Sequence, residues 1–160
     1  ALCWFNAGVE VIFSAAGGAG SSAMLAAEEV VGKHTIGVDM DQSLQSLTVV
    51  TSALKGVGEA AFQALTDYYG GTFVGGRTIS LGSAEGGVGL PADFSRFING
   101  AEVEAAYEAL FDLIVDGDVV VPTNDGGSLK TFLEGLGYNL IWLTPAMIDA
   151  ICEAAEPTAE

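Results

Sequence analysis

Residues 9–55, VEVIFSAAGGAGSSAMLAAEEVVGKHTIGVDMDQSLQSLTVVTSALK, decide the fold. An apolar run (VEVIFSAA) meets a glycine cluster, Gly17-Gly18-Ala19-Gly20, and a helical pattern follows with Ala23, Ala26, Ala27 and Val30 on one face. A second apolar run, Thr35–Val38, ends on Asp39, and a third, Leu47–Leu54, leads to Lys55. Strands alternating with helical segments predict an α/β fold built on a mostly parallel sheet flanked by helices. Val9–Ala15, apolar apart from Glu10 and Ser14, reads as a central parallel strand covered on both faces. Ligands of open α/β sheets bind beyond the carboxyl ends of the strands, where Gly17, Gly18, Asp39 and Lys55 all fall. The glycines turn the backbone sharply and leave leading helical N–H groups bare, which suits a ligand oxygen or anion.

The rest of the chain extends this unit. Val57, Ala60, Ala61, Ala64, Leu65 and Tyr68 follow helical spacing, so a helix with one buried face is expected, stopped by Gly70-Gly71. FVGGRTISLG (73–82) reads as a strand interrupted by a glycine pair, and SAEGGVGLP (83–91) as a glycine-rich loop or short strand. Asn99 opens a further helix, with Glu102 forming an imperfect capping box and Val103, Tyr107, Leu110 and Ile114 its apolar face; Gly117 ends it. Residues 1–7 look like the end of a helix closed by Gly8, from which an upstream part is expected. The domain is assigned to 1–122, with VVVP (119–122) a short strand or extended exit. Residues 123–160 form an unplaced tail whose terminal helix opens at Thr144-Pro145.

With 160 residues, half of them apolar, the chain suits one well-buried domain. Its 21 acids against five bases, a net charge of −16, argue against nucleic acid and against an anionic membrane surface as partners. Two readings of that charge stay open: adaptation to a salty environment that screens self-repulsion, or an ordinary acidic surface that aids solubility. Cys3 and Cys152 lack CxxC spacing and a neighbouring histidine, so no zinc or redox motif is supported, and buried free thiols are expected ahead of a disulfide.

Catalytic patterns are weak. His34, the only histidine, stands at the start of a strand; GxSxG and HExxH are missing; GGSLKT (126–131) lacks the GK[ST] of a phosphate loop. Asp39 and Asp41, two apart on an extended segment, should point to opposite sides. The rival that merits weight is a dinucleotide fingerprint: Gly18, Gly20 and Ala23 fit GxGxx[GA], and Asp39 follows about 20 residues later, where an acid grips a ribose diol. That reading makes the chain a fragment of an NAD-dependent oxidoreductase.

Five segments in order, VEVIFSAAGGAG, IGVDMDQ, TSALK, YYGGTFVGG and SLGSAEGGVGLP, resemble the latter half of the basic membrane protein family. These are substrate-binding lipoproteins of ABC transporters, often similar to the purine nucleoside receptor. The resemblance covers about residues 1–122. It implies one lobe of a type I periplasmic-binding-protein fold, a non-enzyme without cofactor or metal that captures a nucleoside-type ligand at an interlobe cleft. It further implies an ABC transporter permease as partner and an extracytoplasmic location through a lipid anchor in the full-length protein. By position, Gly17 and Gly18 would approach the ligand with their backbone, Asp39 would accept from the ribose hydroxyls, and Lys55 would donate to the ligand or hinge. An acceptor-only carboxylate suits a diol. Relative to the family, the residues here lack the amino-terminal lobe with its base-stacking aromatics, a signal and an anchor cysteine, since Cys3 has no lipobox before it. A third reading follows: a half-protein whose exposed cleft face associates with another chain, a homo-oligomer included.

Overall fold

A computed structural model describes residues 1–121 and two isolated positions, 131 and 135; the expected tail helix lies outside the described residues. Helix α1 (Leu2–Asn6) closes through Ala7, whose N–H donates to Cys3 C=O, and Gly8 at φ 102°. Strand β1 (Val11–Phe13) and a 3-10 turn (Gly17–Ala19) precede helix α2 (Gly20–Glu29). Strands β2 (His34–Asp39) and β3 (Val49–Lys55), helix α3 (Val57–Tyr69), strand β4 (Val88–Gly89) and helix α4 (Gly100–Val115) complete the order. The sheet runs β1-β2-β3-β4, with β1, β2 and β3 parallel and β4 antiparallel to β3. The fold is thus the expected mostly parallel sheet flanked by helices.

A small core forms where α2 lies on the sheet. Phe5 of α1, Ile12 of β1 and Ala23, Ala26 and Ala27 of α2 are buried together, with Trp4 and Val30 against them. The three alanines are why α2 can sit so near: small side chains at helical spacing leave room for Phe5, which is 1% exposed. The predicted face of this helix is therefore the observed one.

The join between β2 and β3 has no helix. Adjacent parallel strands usually need a crossover of a dozen or more residues, yet nine, 40–48, carry the chain back here. They form a strap laid against the sheet. Gly37 makes room, because a Cβ there would collide with Ser52 Oγ and come within 2.9 Å of Gln42 Cβ. Gln42 N–H donates to Ser52 Oγ at 3.0 Å, and Ser46 joins the strap to α2 through Glu28 Oε1 at 2.7 Å. From the other side Arg96 donates to the carbonyls of Ser43, Ser46 and Val49, each at 2.8 Å.

Several expectations are corrected. Strand β1 is an edge strand among the described residues, and Val11 and Phe13 are 45% and 54% exposed. Its apolar run records what the residues prefer, whereas the number of neighbours depends on chain that β1 alone does not specify. Helix α3 exists where its spacing put it, yet none of its residues is buried, and Val57, Leu65 and Tyr68 are exposed. On α4 the half-buried apolar side chains are Val103, Tyr107, Phe111 and Ile114, with Leu110 exposed, because Tyr107 packs on Phe94 and Phe111. Residues 73–82 hold no strand: Gly76, at φ 76°, turns the chain, and no described strand pairs with it. Among the described residues the core is accordingly smaller than the composition suggested. Finally, Cys3 is disulfide-bonded, not a free thiol, because pairing follows the fold and spacing along the chain does not report it.

Candidate functional site

The carboxyl ends of β1 and β2 frame a cleft of about 320 Å³, lined by Ser14, Gly17, Gly18, Ser21, Asp39, Gln42 and their neighbours. That volume lies at the lower end of the range for ligand pockets, roughly 300–1,000 Å³. After β1 the chain bends through Gly17 at φ 55°, a left-handed conformation suited to glycine. In the 3-10 turn, Ala19 N–H donates to Ala16 C=O and Gly20 N–H to Gly17 C=O, so the amides of Gly17 and Gly18 lead the helix. Beside Gly18 a Cβ would meet nothing within 4 Å, which leaves its backbone open to approach. Gly20, by contrast, packs against Ser14, 3.3 Å from the position its Cβ would take, and Ala23 is buried in the core. Of the GxGxxA residues, only Gly18 faces the cleft.

Asp39 ends β2 at φ 68°, the one non-glycine residue with positive φ among those described. Met40 N–H donates to Val38 C=O at 2.9 Å, closing a three-residue turn around Asp39. Such a turn with positive φ at its centre is rare and strained, and strain of this kind collects where function over-determines the backbone. Its carboxylate is exposed and makes no hydrogen bond among the described residues. Asp41 does not share the cleft: its Oδ1 accepts from Ser43 N–H at 2.9 Å, which stabilises the strap.

Lys55 stands apart. In register Asp39 pairs with Leu54, so Lys55 is the next residue on the neighbouring strand and belongs to the same sheet edge. It lines a separate hollow of about 400 Å³ with Val57, Ala60, Ile79 and Leu81. Its place is fixed by a close crossing. Gly56 N–H donates to Gly87 C=O at 2.8 Å, a Cβ on Gly56 would strike Gly86 O, and one on Gly87 would strike Leu81 O. Much of SLGSAEGGVGLP therefore serves to let two backbones touch beside Lys55.

Gln42 and Arg96 were missed by sequence reasoning. A glycine inside a strand signals close approach by another segment, and Gly37 carried that signal for Gln42. Arg96, one of five bases, bears nothing in its local pattern that foretells three carbonyl partners. Nearby, Asp93 is held below the ordinary carboxylate range by hydrogen bonding from Ser95, side chain first and then backbone. It lies in the approach to α4, outside the cleft. Among the described residues no cluster of His, Cys, Asp and Glu could hold a metal ion, and no helix is long and apolar enough to cross a membrane.

Comparison with known proteins identifies the family. The profile of the Bmp family, ABC transporter substrate-binding protein PnrA-like, matches residues 1–125. Basic membrane protein A of Borreliella afzelii is 37% identical over 123 residues, covering 75% of this chain and 37% of that protein. Basic membrane protein D of Borreliella burgdorferi strain JD1 is 36% identical over 122 residues, covering 74% and 36%. The chain thus spans little more than a third of the length of these curated relatives. The crystal structure of an ABC transporter system solute-binding protein from Aeropyrum pernix K1 superposes with a TM-score of 0.60 at 21% identity. It covers 96% of this chain and 50% of that one, and at such identity it speaks for the fold alone. Since the profile matches residues 1–125, more than three quarters of the sequence, the chain belongs to the Bmp family of PnrA-like ABC transporter substrate-binding proteins.

Proposed function

We propose that this chain is the carboxyl-side lobe, residues 1–122, of a binding protein that captures a nucleoside-type ligand for an ABC transporter permease, without covalent chemistry. The observation that carries this reading is Asp39, held at φ 68° in a cleft opposite the open backbone of Gly17 and Gly18. A carboxylate accepts from both hydroxyls of a ribose diol, and the leading amides of the 3-10 turn suit an oxygen on the same ligand. Lys55, on the same sheet edge but in the neighbouring hollow, donates to the ligand or to the hinge as a cation with three N–H groups. The ligand closes between this lobe and an amino-terminal one, since a single open cleft excludes little water. A disulfide at Cys3 fits an oxidising compartment, hence an extracytoplasmic location, with membrane attachment by a lipid anchor in the full-length protein.

The test is a thermal-shift screen of the 160-residue chain with guanosine, inosine, adenosine, riboflavin and NAD, since a ligand that binds only the folded state raises Tm. A rise with ribonucleosides that weakens with their 2′,3′-dideoxy analogues is expected. Binding is weak in one lobe, with Kd no better than roughly millimolar, about −4 kcal/mol, so ligand is titrated to several millimolar. A response to NAD alone, or equal response to ribo- and dideoxynucleosides, would refute the reading.

A further inference from the structure

We propose that Gln42 is a positioning residue: its side chain latches the turn that presents Asp39, and without it the carboxylate leaves its place in the cleft. The purpose of the latch rests on the ribose reading of Asp39; the latch itself rests on geometry alone.

Asp39 sits in an unfavourable backbone conformation that nothing in its own side chain holds. The turn around it uses both polar groups of Val38. Val38 C=O accepts from Met40 N–H at 2.9 Å, and Val38 N–H donates to Gln42 Oε1 at 2.9 Å. Only an acceptor can receive that N–H, so the amide oxygen is fixed toward Val38 by chemistry. The backbone of Gln42 is held in turn by Ser52 Oγ at 3.0 Å, and Ser52 is fully buried on β3. Residues 38–42 thus close on themselves and are riveted to the neighbouring strand. Gly37 is the cradle: a Cβ there would meet Gln42 Cβ and Oε1 at 2.9 Å and would collide with Ser52 Oγ.

The alternatives for holding this turn are few. Arg96 grips the strap beyond it, at Ser43, Ser46 and Val49, and makes no hydrogen bond to residues 38–42. Asp41 bonds forward to Ser43. A left-handed residue relaxes once the contacts that over-determine it are removed, and the Gln42 amide is the side chain that ties the turn to the strand preceding Asp39.

The experiment is solution NMR of the labelled 160-residue chain, comparing wild type with Gln42→Met, which keeps volume but loses the acceptor, and Gln42→Glu, which keeps the acceptor. Residual dipolar couplings report the sign of φ at Asp39, and hydrogen exchange reports the Met40 and Thr35 amides; Thr35 N–H donates to Thr48 C=O at 2.8 Å. In Gln42→Met, Asp39 should leave positive φ and Met40 should exchange at least about tenfold faster relative to Thr35. General destabilisation would speed both amides alike. Gln42→Glu should behave as wild type. Positive φ retained in Gln42→Met, or lost equally in Gln42→Glu, overturns the latch. If Gln42→Met does not fold, Ser52→Ala serves, with the same change in Met40 relative to Thr35 expected and its absence overturning the proposal.

A ligand arm separates the two readings. Guanosine and 2′,3′-dideoxyguanosine are compared by thermal shift in wild type and Gln42→Met. Wild type that does not tell them apart refutes the ribose reading, while the dihedral and exchange data still decide the latch. Where wild type does discriminate, Gln42→Met should lose that preference by about tenfold, and full retention with a relaxed turn would overturn the positioning role.

Discussion

Replacing Asp39 by Gly, Ala and Asn separates the backbone's demand at this position from the ligand's. Left-handed backbone costs an ordinary L-residue about 1–2 kcal/mol, glycine nothing, and Asn or Asp something between. At an ordinary position Ala is more stable than Gly by roughly 0.5–1 kcal/mol, through the freedom that glycine loses on folding. At φ 68° the first effect exceeds the second. Asp39→Gly should therefore be more stable than Asp39→Ala by about 1 kcal/mol, with Asp39→Asn near wild type. For a chain of this size 1 kcal/mol moves Tm by about 3 °C. The exposed carboxylate has no described hydrogen bond to forfeit, so its own loss adds little. The assay is calorimetric or dye-monitored melting of all four proteins in the same buffer. If Asp39→Ala melts at or above Asp39→Gly, the strain argument is wrong. Binding should follow a different order: every variant lacks the charged acceptor. With the other lobe present, Asp39→Ala should lose about 2–4 kcal/mol, or roughly 30- to 700-fold, because hydrogen bonds to a charged group are worth about 1.5–3 kcal/mol each and solvent reaches this one.

Arg96→Lys should lower stability by about 2–4 kcal/mol in urea unfolding, since an ammonium cannot span three carbonyls that a planar guanidinium bridges; a loss under 0.5 kcal/mol would remove the strap's outer anchor. Gly87→Ala should cost at least about 2 kcal/mol, since its Cβ must displace Leu81 backbone, whereas Gly58→Ala, with nothing within 4 Å, should be neutral or stabilising in the same melts. Raising KCl from 0.01 M to 1 M shortens the Debye length from roughly 30 Å to about 3 Å, and with a net charge of −16 the Tm should climb; a flat profile would show that self-repulsion is of no consequence. Cys3→Ser should destabilise the oxidised chain by about 2–4 kcal/mol and leave it insensitive to reductant.

Periodicity and glycine placement made the elements legible, and burial is where they stopped. Ala23, Ala26 and Ala27 were read correctly because a helix end, a strand and a glycine turn within 30 residues supplied everything they pack on. Leu65 and Tyr68 were read as buried on the same logic, but no described element covers their face; helical spacing says which side is apolar, not what lies against it. The site divided in the same manner. Gly17, Gly18 and Asp39 lie at consecutive strand ends and converge as topology requires. Lys55 shares their sheet edge yet lines another hollow, because the crossing of Gly56 and Gly87 stands beside it, a long-range contact with no local signature. Gln42 was in view within IGVDMDQ, overlooked beside two acids.

The helix-free crossover between β2 and β3 also bears on the order in which the molecule assembles. Loop closure costs grow with the logarithm of loop length, and rates favour contacts near in sequence. Nine residues, 40–48, separate two paired parallel strands here, so β2 and β3 can dock almost as cheaply as the arms of a hairpin. Arg96 arrives from about fifty residues away to seal the strap. Mutations at Gly37 and Ser52 should slow refolding, whereas Arg96→Lys should chiefly speed unfolding. The Asp39 turn would then be in place before the last third of the described chain has joined the fold.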